Sequence, residues 1–246
     1  MRAGVVLILA VLLVILDGCR SGHDSQQSSA GSRSGGQQSQ SPVEPPLNQD
    51  SGTPPTAAVH DARPLIVCFG DSLTAGYGTE AGQSYPDYLQ SDLDHAGYAY
   101  RVVNAGISGN TTKDGLGRVD SVVAMKPAIV VVEFGGNDGL RGFRIEDTRA
   151  NLEKILSTLQ ASGSKVVLAG ITLPPDYGQD YIRQFNQTYV LLAKKFNVPL
   201  SPFILQGVFG VDGMMQADHI HATAAGNQIV ARNILALVHP LLRRGR

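Results

Sequence analysis

From Arg63 onward, short apolar runs alternate with stretches whose apolar residues recur at spacings of three and four. The runs are "PLIVCFG" (64–70), "YRVVNAG" (100–106), "PAIVVVEFGGND" (127–138), "KVVLAGITLP" (165–174) and "VPLSPF" (198–203). Most are apolar throughout, the mark of strands covered on both faces. Between them the pattern predicts helices. "SYPDYLQSDLDHAG" starts at Ser84, with Pro86 in its first turn and Gly97 beyond its end. "TTKDGLGRVDSVVAM" is a weaker helix because Gly115 and Gly117 interrupt it. "IEDTRANLEKILSTLQASG" puts Leu152, Ile155, Leu156 and Leu159 on one face before a glycine stop. "DYIRQFNQTYVLLAKKFN" is a further helix, and "TAAGNQIVARNILALVHPLL" closes the chain behind Thr223 as N-cap. Strands alternating with helices predict a parallel, doubly wound sheet. Ligands of such sheets bind beyond the carboxyl ends of the strands. Ser72, the segment Asn104 to Gly109, and Asn137 with Asp138 all fall on that edge.

The amino-terminal pattern differs. Arg2 precedes "GVVLILAVLLVIL", a run shorter than the roughly 20 residues that span a bilayer. A charged start and a short apolar stretch are those of an export signal. The run ends in "LDGC", which resembles a bacterial lipobox: Leu16 and Gly18 fit, Asp17 departs, and Cys19 is the residue that would be lipidated. A plain secretory signal with an incidental cysteine is the alternative. After Cys19 the chain is Ser, Gly, Gln and Pro with few apolar side chains, too little to offset ordering entropy. The expected organisation is a signal peptide at 1–18, a disordered tether at 19–62 and one folded domain at 63–246. The expected location is outside the cytoplasm, as a periplasmic protein or a membrane-anchored lipoprotein.

Composition narrows the picture only a little. The chain has 246 residues and a formal net charge of −1, so no basic field argues for nucleic acid. Hydrophobic content of 43% suffices for a sizeable core. Cys19 and Cys68 stand in unlike settings, and no disulfide between them is expected.

Chemistry-bearing residues then stand out. Ser72 follows the first strand in "FGDSLTAGYG", yet Thr74 stands where the elbow of α/β-hydrolases has its second glycine. A serine nucleophile needs a base. His60, His95 and His239 read as surface residues, whereas His219 and His221 precede the last helix in "QADHIHATAAG". Asp218, three residues before His221, suits a carboxylate that orients the imidazole; an N-terminal capping acid with an exposed histidine is the alternative. Gly109 and Asn137, with the Ser72 N–H, suit an oxyanion hole; as single residues they also suit turns. Asp71 reads as a turn-organising acid. The use of Asp218, His219 and His221 as metal ligands is the rival reading of that loop.

Together "GDSLTAGYG", "NAGISGNTT", "GGND" and "DHIH" resemble, in order, the four blocks of the SGNH, or GDSL, hydrolases. The likeness covers Pro64 to about Leu242, and "FGGNDGLRGF" with "VPLSPF" brings it nearest the bacterial thioesterase I, lysophospholipase L1 and arylesterase subgroup. It implies a flavodoxin-like three-layer α/β/α sandwich with a five-stranded parallel sheet. It also implies Ser72, Asp218 and His221 as a catalytic triad, with Ser72, Gly109 and Asn137 as oxyanion donors. Neither a metal nor another cofactor is implied. His219 and Ala222 depart from the subgroup's usual Gly and Pro. The implied substrates are acyl esters, thioesters or lysophospholipids. Leu140, Phe143, Pro175 and Tyr177 are the expected lining of an acyl groove. Deacetylation of a polysaccharide is the second enzymatic reading, although the absence of tryptophan disfavours sugar stacking. A catalytically retired lipid-binding lipoprotein is the non-enzymatic one. The expected partners are a small acyl ester or lysophospholipid and, through Cys19, a membrane; the sequence leaves the oligomeric state open.

Overall fold

The computed structural model describes residues 61–243, so the export signal, Cys19 and nearly all of the expected tether lie outside the described residues. The described residues form a five-stranded, wholly parallel sheet in the order β2-β1-β3-β4-β5. The strands are β1 (Leu65–Gly70), β2 (Arg101–Gly106), β3 (Ile129–Glu133), β4 (Lys165–Ala169) and β5 (Leu200–Ser201). This is the expected flavodoxin-like order, and its switch point lies between β1 and β3, where the crossovers diverge.

The helices are α1 (Ser72–Ala75), α2 (Tyr85–His95), α3 (Thr112–Ala124), α4 (Gly136–Leu140), α5 (Ile145–Ala161), α6 (Gln179–Phe196) and α7 (Ala224–Val238). α2 packs on α7, while α3 packs on α5 and α5 on α6, giving a layer on each face of the sheet. Local sequence explains their starts. Ser84 and Asp87 form a capping box on α2, and Thr111 with Asp114 forms one on α3. That box holds α3 together despite Gly115 and Gly117. Thr223 caps α7 by accepting the Gly226 N–H, as expected.

The core lies where the apolar runs predicted it. Ile66 to Phe69, Val130 to Val132, Val167 and Leu168 are fully buried. Each such side chain contributes about 1.5–3 kcal/mol of transfer free energy. Cys68 is a buried free thiol, and burial pushes its pKa up to about 12.

Three elements are shorter than the apolar runs suggested. β3 stops at Glu133, because Gly135 takes a φ of +119° and turns the chain into α4, so "GGND" opens a helix rather than ending a strand. β5 is two residues long, bounded by Pro199 and Pro202, which have no N–H for the ladder. The last helix ends at Val238, and a 3-10 turn containing Pro240 follows.

Candidate active site

Ser72 is the first residue of α1, directly beyond β1. Asp71 caps that turn, its Oδ1 accepting the Leu73 N–H at 3.1 Å. Gly70 is required by close approach: a Cβ there would lie 2.0 Å from Thr74 Oγ1 and 2.6 Å from the Glu133 carbonyl oxygen. Thr74 is buried and donates its hydroxyl to Glu133 Oε2 at 2.8 Å. A threonine therefore has a structural task where the α/β-hydrolase elbow has glycine.

Ser72 Oγ lies 2.8 Å from Nε2 of His221, and His221 Nδ1 lies 2.6 Å from Oδ2 of Asp218. The other carboxylate oxygen, Oδ1, accepts the N–H groups of Ile220 and His221, both at 3.0 Å. The turn thus fixes the carboxylate before the carboxylate fixes the imidazole. Burial raises the Asp218 carboxyl, but the hydrogen bonds from the His221 ring and from these two amides outweigh it and hold the group at about 2. An ionised Asp218 favours the tautomer with its proton on Nδ1, leaving Nε2 to accept the serine hydroxyl.

Two neighbours escaped the sequence reading. The Tyr77 ring lies 4.7 Å from the His221 ring, centroid to centroid, tilted by 44°. Gln216 Nε2 donates to the carbonyls of Tyr77 (2.7 Å) and Ala222 (2.9 Å), and its backbone N–H donates to the His221 carbonyl (2.8 Å). Gln216 therefore ties the histidine loop to the segment after the nucleophile. Polar residues that act across two loops leave no periodic signal in sequence. His219, between the two triad candidates, takes a φ of +56°, a left-handed conformation that a side chain disfavours. A glycine would take this conformation without that cost.

On the opposite side, Asn137 Nδ2 donates to Asp71 Oδ2 at 3.1 Å and to the Asn110 carbonyl at 3.0 Å. Gly109, the residue before Asn110, has a φ of +80°, and Arg141 donates to its carbonyl at 3.1 Å. Among the described residues nothing accepts the Gly109 N–H. The loop is clamped from below by Arg118, whose guanidinium donates to Asn110 Oδ1, the Ala105 carbonyl and the Gly70 carbonyl, each at 2.8 Å. No local pattern in the sequence marks Arg118 for this task. Asp138, 2% exposed, accepts the Thr112 N–H at 2.8 Å and joins the "NTT" and "GGND" segments.

A cavity of about 330 Å³ opens beside Ser72, Asn137 and His221. Leu140 and Pro175 line it, as expected. Phe143 and Tyr177 do not. Phe143 lines a separate surface depression with Lys113 and Asn151, and Tyr177 stands behind the wall, donating its hydroxyl to the Leu140 carbonyl at 2.8 Å. The rest of the apolar lining is Ile171, Leu173, Phe203, Phe209 and Ile220. Phe203 meets Phe209 edge to face at 6.0 Å, and Phe209 is 54% exposed. An aromatic left in solvent beyond the last strand was the available signal. Among the described residues no three His, Cys, Asp or Glu side chains are grouped as metal ligands.

The sheet order and the four segments gathered at one edge define an SGNH-type hydrolase, acting on carboxylic or thioester bonds. Comparison with known proteins gives the family directly: residues 68–229 match the GDSL-like lipase/acylhydrolase family, and the chain belongs to it. The esterase TesA of Pseudomonas aeruginosa is 44% identical over 182 residues, 74% of this chain and 90% of that one. The thioesterase 1/protease 1/lysophospholipase L1 of Escherichia coli is 37% identical over 182 residues, 74% of this chain and 86% of that one. A crystal structure of TesA superimposes with a TM-score of 0.70 at 45% identity, covering 73% of this chain and all of that one.

Proposed function

We propose that the protein is a serine esterase that hydrolyses medium-sized acyl esters and related thioesters or lysophospholipids through Ser72, His221 and Asp218. The carrying observation is the continuous hydrogen-bonded line from Ser72 Oγ through His221 to Asp218. His221 takes the serine proton as Oγ attacks the acyl carbonyl. Asp218 stabilises the imidazolium that forms. The Asn137 amide, the Gly109 N–H and the Ser72 N–H hold the developing oxyanion. The imidazolium then protonates the leaving alcohol or thiol, and a water repeats the cycle to release the acid. The apolar walls beside the serine favour an acyl chain over a polar sugar.

A series of p-nitrophenyl esters of rising chain length, run beside acetylated xylan, tests the substrate class. The expected maximum lies above acetate. Activity on acetate and acetylated xylan alone contradicts the reading, and absence of all turnover favours a retired lipid-binding scaffold. The same reading includes export and attachment to a membrane through Cys19, supported by the segment from Arg2 to Cys19. Cys19→Ser is expected to move the protein from membrane to soluble fractions.

A further inference from the structure

Two carboxyl side chains that the mechanism above leaves unused lie together beneath Ser72. Glu133, the last residue of β3, is 0% exposed, and Asp71 is 2% exposed. Glu133 Oε2 accepts the Thr74 hydroxyl at 2.8 Å and the Asp71 N–H at 3.3 Å. Glu133 Oε1 is buried and receives a hydrogen from no group among the described residues. The Asp71 N–H contact joins the two acidic residues directly, and neither carboxyl has solvent around it. A buried acceptor without a donor is destabilising. Two ionised carboxylates in contact at such a depth add mutual repulsion. A proton on the pair removes the repulsion.

We propose that Asp71 and Glu133 hold one proton between them, and that this pair positions Asn137 for the oxyanion. The proposal rests on the donor role assigned to Asn137 above. With the proton on Glu133, Asp71 remains a carboxylate, and its Oδ2 holds one amide hydrogen of Asn137 at 3.1 Å in a charge-assisted bond. In the resting protein the Asn110 carbonyl holds the other hydrogen at 3.0 Å, and this is the hydrogen that the oxyanion takes over while Asp71 keeps the amide plane in place. The amide plane is therefore fixed before substrate arrives, which is the preorganisation that makes such donors effective. The shared proton also limits the negative charge under the site to one unit. Two units would oppose an oxyanion forming beside them.

The surroundings agree with a single charge. The ionisable groups near the pair are Tyr85 from α2, Tyr189 from α6 and the His221 ring, with Cys68 next to Tyr85 and Asp138 near Tyr189. Tyr189 is committed to the Phe134 carbonyl at 3.0 Å, and Tyr85 reaches Thr74 Oγ1 at 3.2 Å. Arg118 spends its guanidinium on the carbonyls of Ala105 and Gly70 and the amide of Asn110, not on either carboxyl. Among the described residues no lysine or arginine is paired with either carboxyl in the resting protein. Burial acts first on both groups and raises both: Asp71 to about 6, and Glu133 well above its ordinary range.

Carboxyl-carbon NMR of the full chain labelled at Asp and Glu, assigned with Asp71→Asn and Glu133→Gln, tests the proton count. At pH 7.5 one unionised carboxyl belonging to the pair is expected; two ionised or two unionised carboxyls overturn the proposal. This measurement is made on the resting protein, so its failure is separable from a failure of the esterase reading. Kinetics tests the positioning. Glu133→Leu is expected to lower kcat at least tenfold with KM within twofold. Glu133→Gln, whose amide imitates the unionised carboxyl, is expected to recover most of that loss. A Gln variant no better than Leu, or a Leu variant equal to the native enzyme, overturns it. If Glu133→Leu does not fold, Asp71→Asn replaces it, with the same tenfold fall in kcat expected and an unchanged kcat contradicting the role.

Discussion

Nε2 of His221 stands 2.8 Å from Oγ of Ser72, although 149 residues separate them in the chain. The contact exists because the sheet places Ser72 just beyond β1 and because the Asp218–His221 turn is held shut by its own amides. It needs no movement of a lid to form. Its partner, Asp218, is fixed as firmly by backbone as by the imidazole.

Replacing Asp218 by Asn tests the orientation of the ring. The amide cannot accept the Nδ1 proton and the two backbone N–H groups as an ionised carboxylate does. A fall in kcat of about 10⁴ is expected in steady-state ester hydrolysis, with little change in KM. The same carboxyl contributes to stability in a definite direction. Its folded pKa of about 2 is below the ordinary 3.8, so its stabilisation is present above pH 3.8 and lost as pH falls toward 2. The side chain is 37% exposed, so screening keeps this contribution below about 1 kcal/mol. Acid titration of native and Asp218→Asn proteins by circular dichroism should show a small difference at pH 5 that closes by pH 2.

Asn137→Ala removes one oxyanion donor and also its bonds to Asp71 and the Asn110 carbonyl. A loss of about 10²–10³ in kcat is expected, equal to about 2.7–4 kcal/mol of barrier. Single-turnover measurement of acylation is the direct check, since the loss belongs to the chemical step.

The buried Glu133 carboxyl should leave a signature in stability against pH. Its folded pKa lies well above the ordinary 4.5, mainly through burial, so the native state keeps a proton that the unfolded chain releases. Stability therefore falls as pH rises above 4.5, by about 1.4 kcal/mol per pH unit while that difference in protonation lasts. Glu133→Gln removes the dependence. In urea titrations the variant is expected to gain on the native protein steadily from pH 5 to 7. A constant difference across that range contradicts the protonated state.

His219 carries a local strain that can be relieved. Its φ of +56° costs a non-glycine residue about 1 kcal/mol. His219→Gly is expected to raise the melting temperature or leave it unchanged, because the greater freedom of glycine in the unfolded chain offsets part of the gain. A clear loss of stability would show that the His219 side chain makes compensating contacts.

Much of this molecule was legible in the sequence because its signals are local. Apolar runs such as "IVVVE", the helix start at Ser84 and the cap at Thr223 each reflect a rule that acts over a few residues. Ser72, Gly109, Asn137, Asp218 and His221 could be named as candidates because each belongs to a short motif at a strand or helix end. What was not legible acts across elements. Arg118 joins β1, β2 and the Asn110 loop through three bonds, and Gln216 joins two loops near the histidine. Phe143 and Tyr177 looked like cavity walls because they neighbour Leu140 and Pro175 in sequence, but side-chain direction in a loop is set by packing. Glu133 sits inside the apolar run 127–138 with no motif to mark it; its depth beneath Ser72 follows only from the sheet order.

The account's central claim is that Ser72, activated by His221, is the nucleophile. Mass spectrometry of the full chain after brief exposure to an alkyl fluorophosphonate tests it most directly. One phosphonyl group on the peptide containing Ser72 is expected, with labelling slowed at least a hundredfold in His221→Ala. Labelling at another residue, or equal labelling without His221, would contradict the claim.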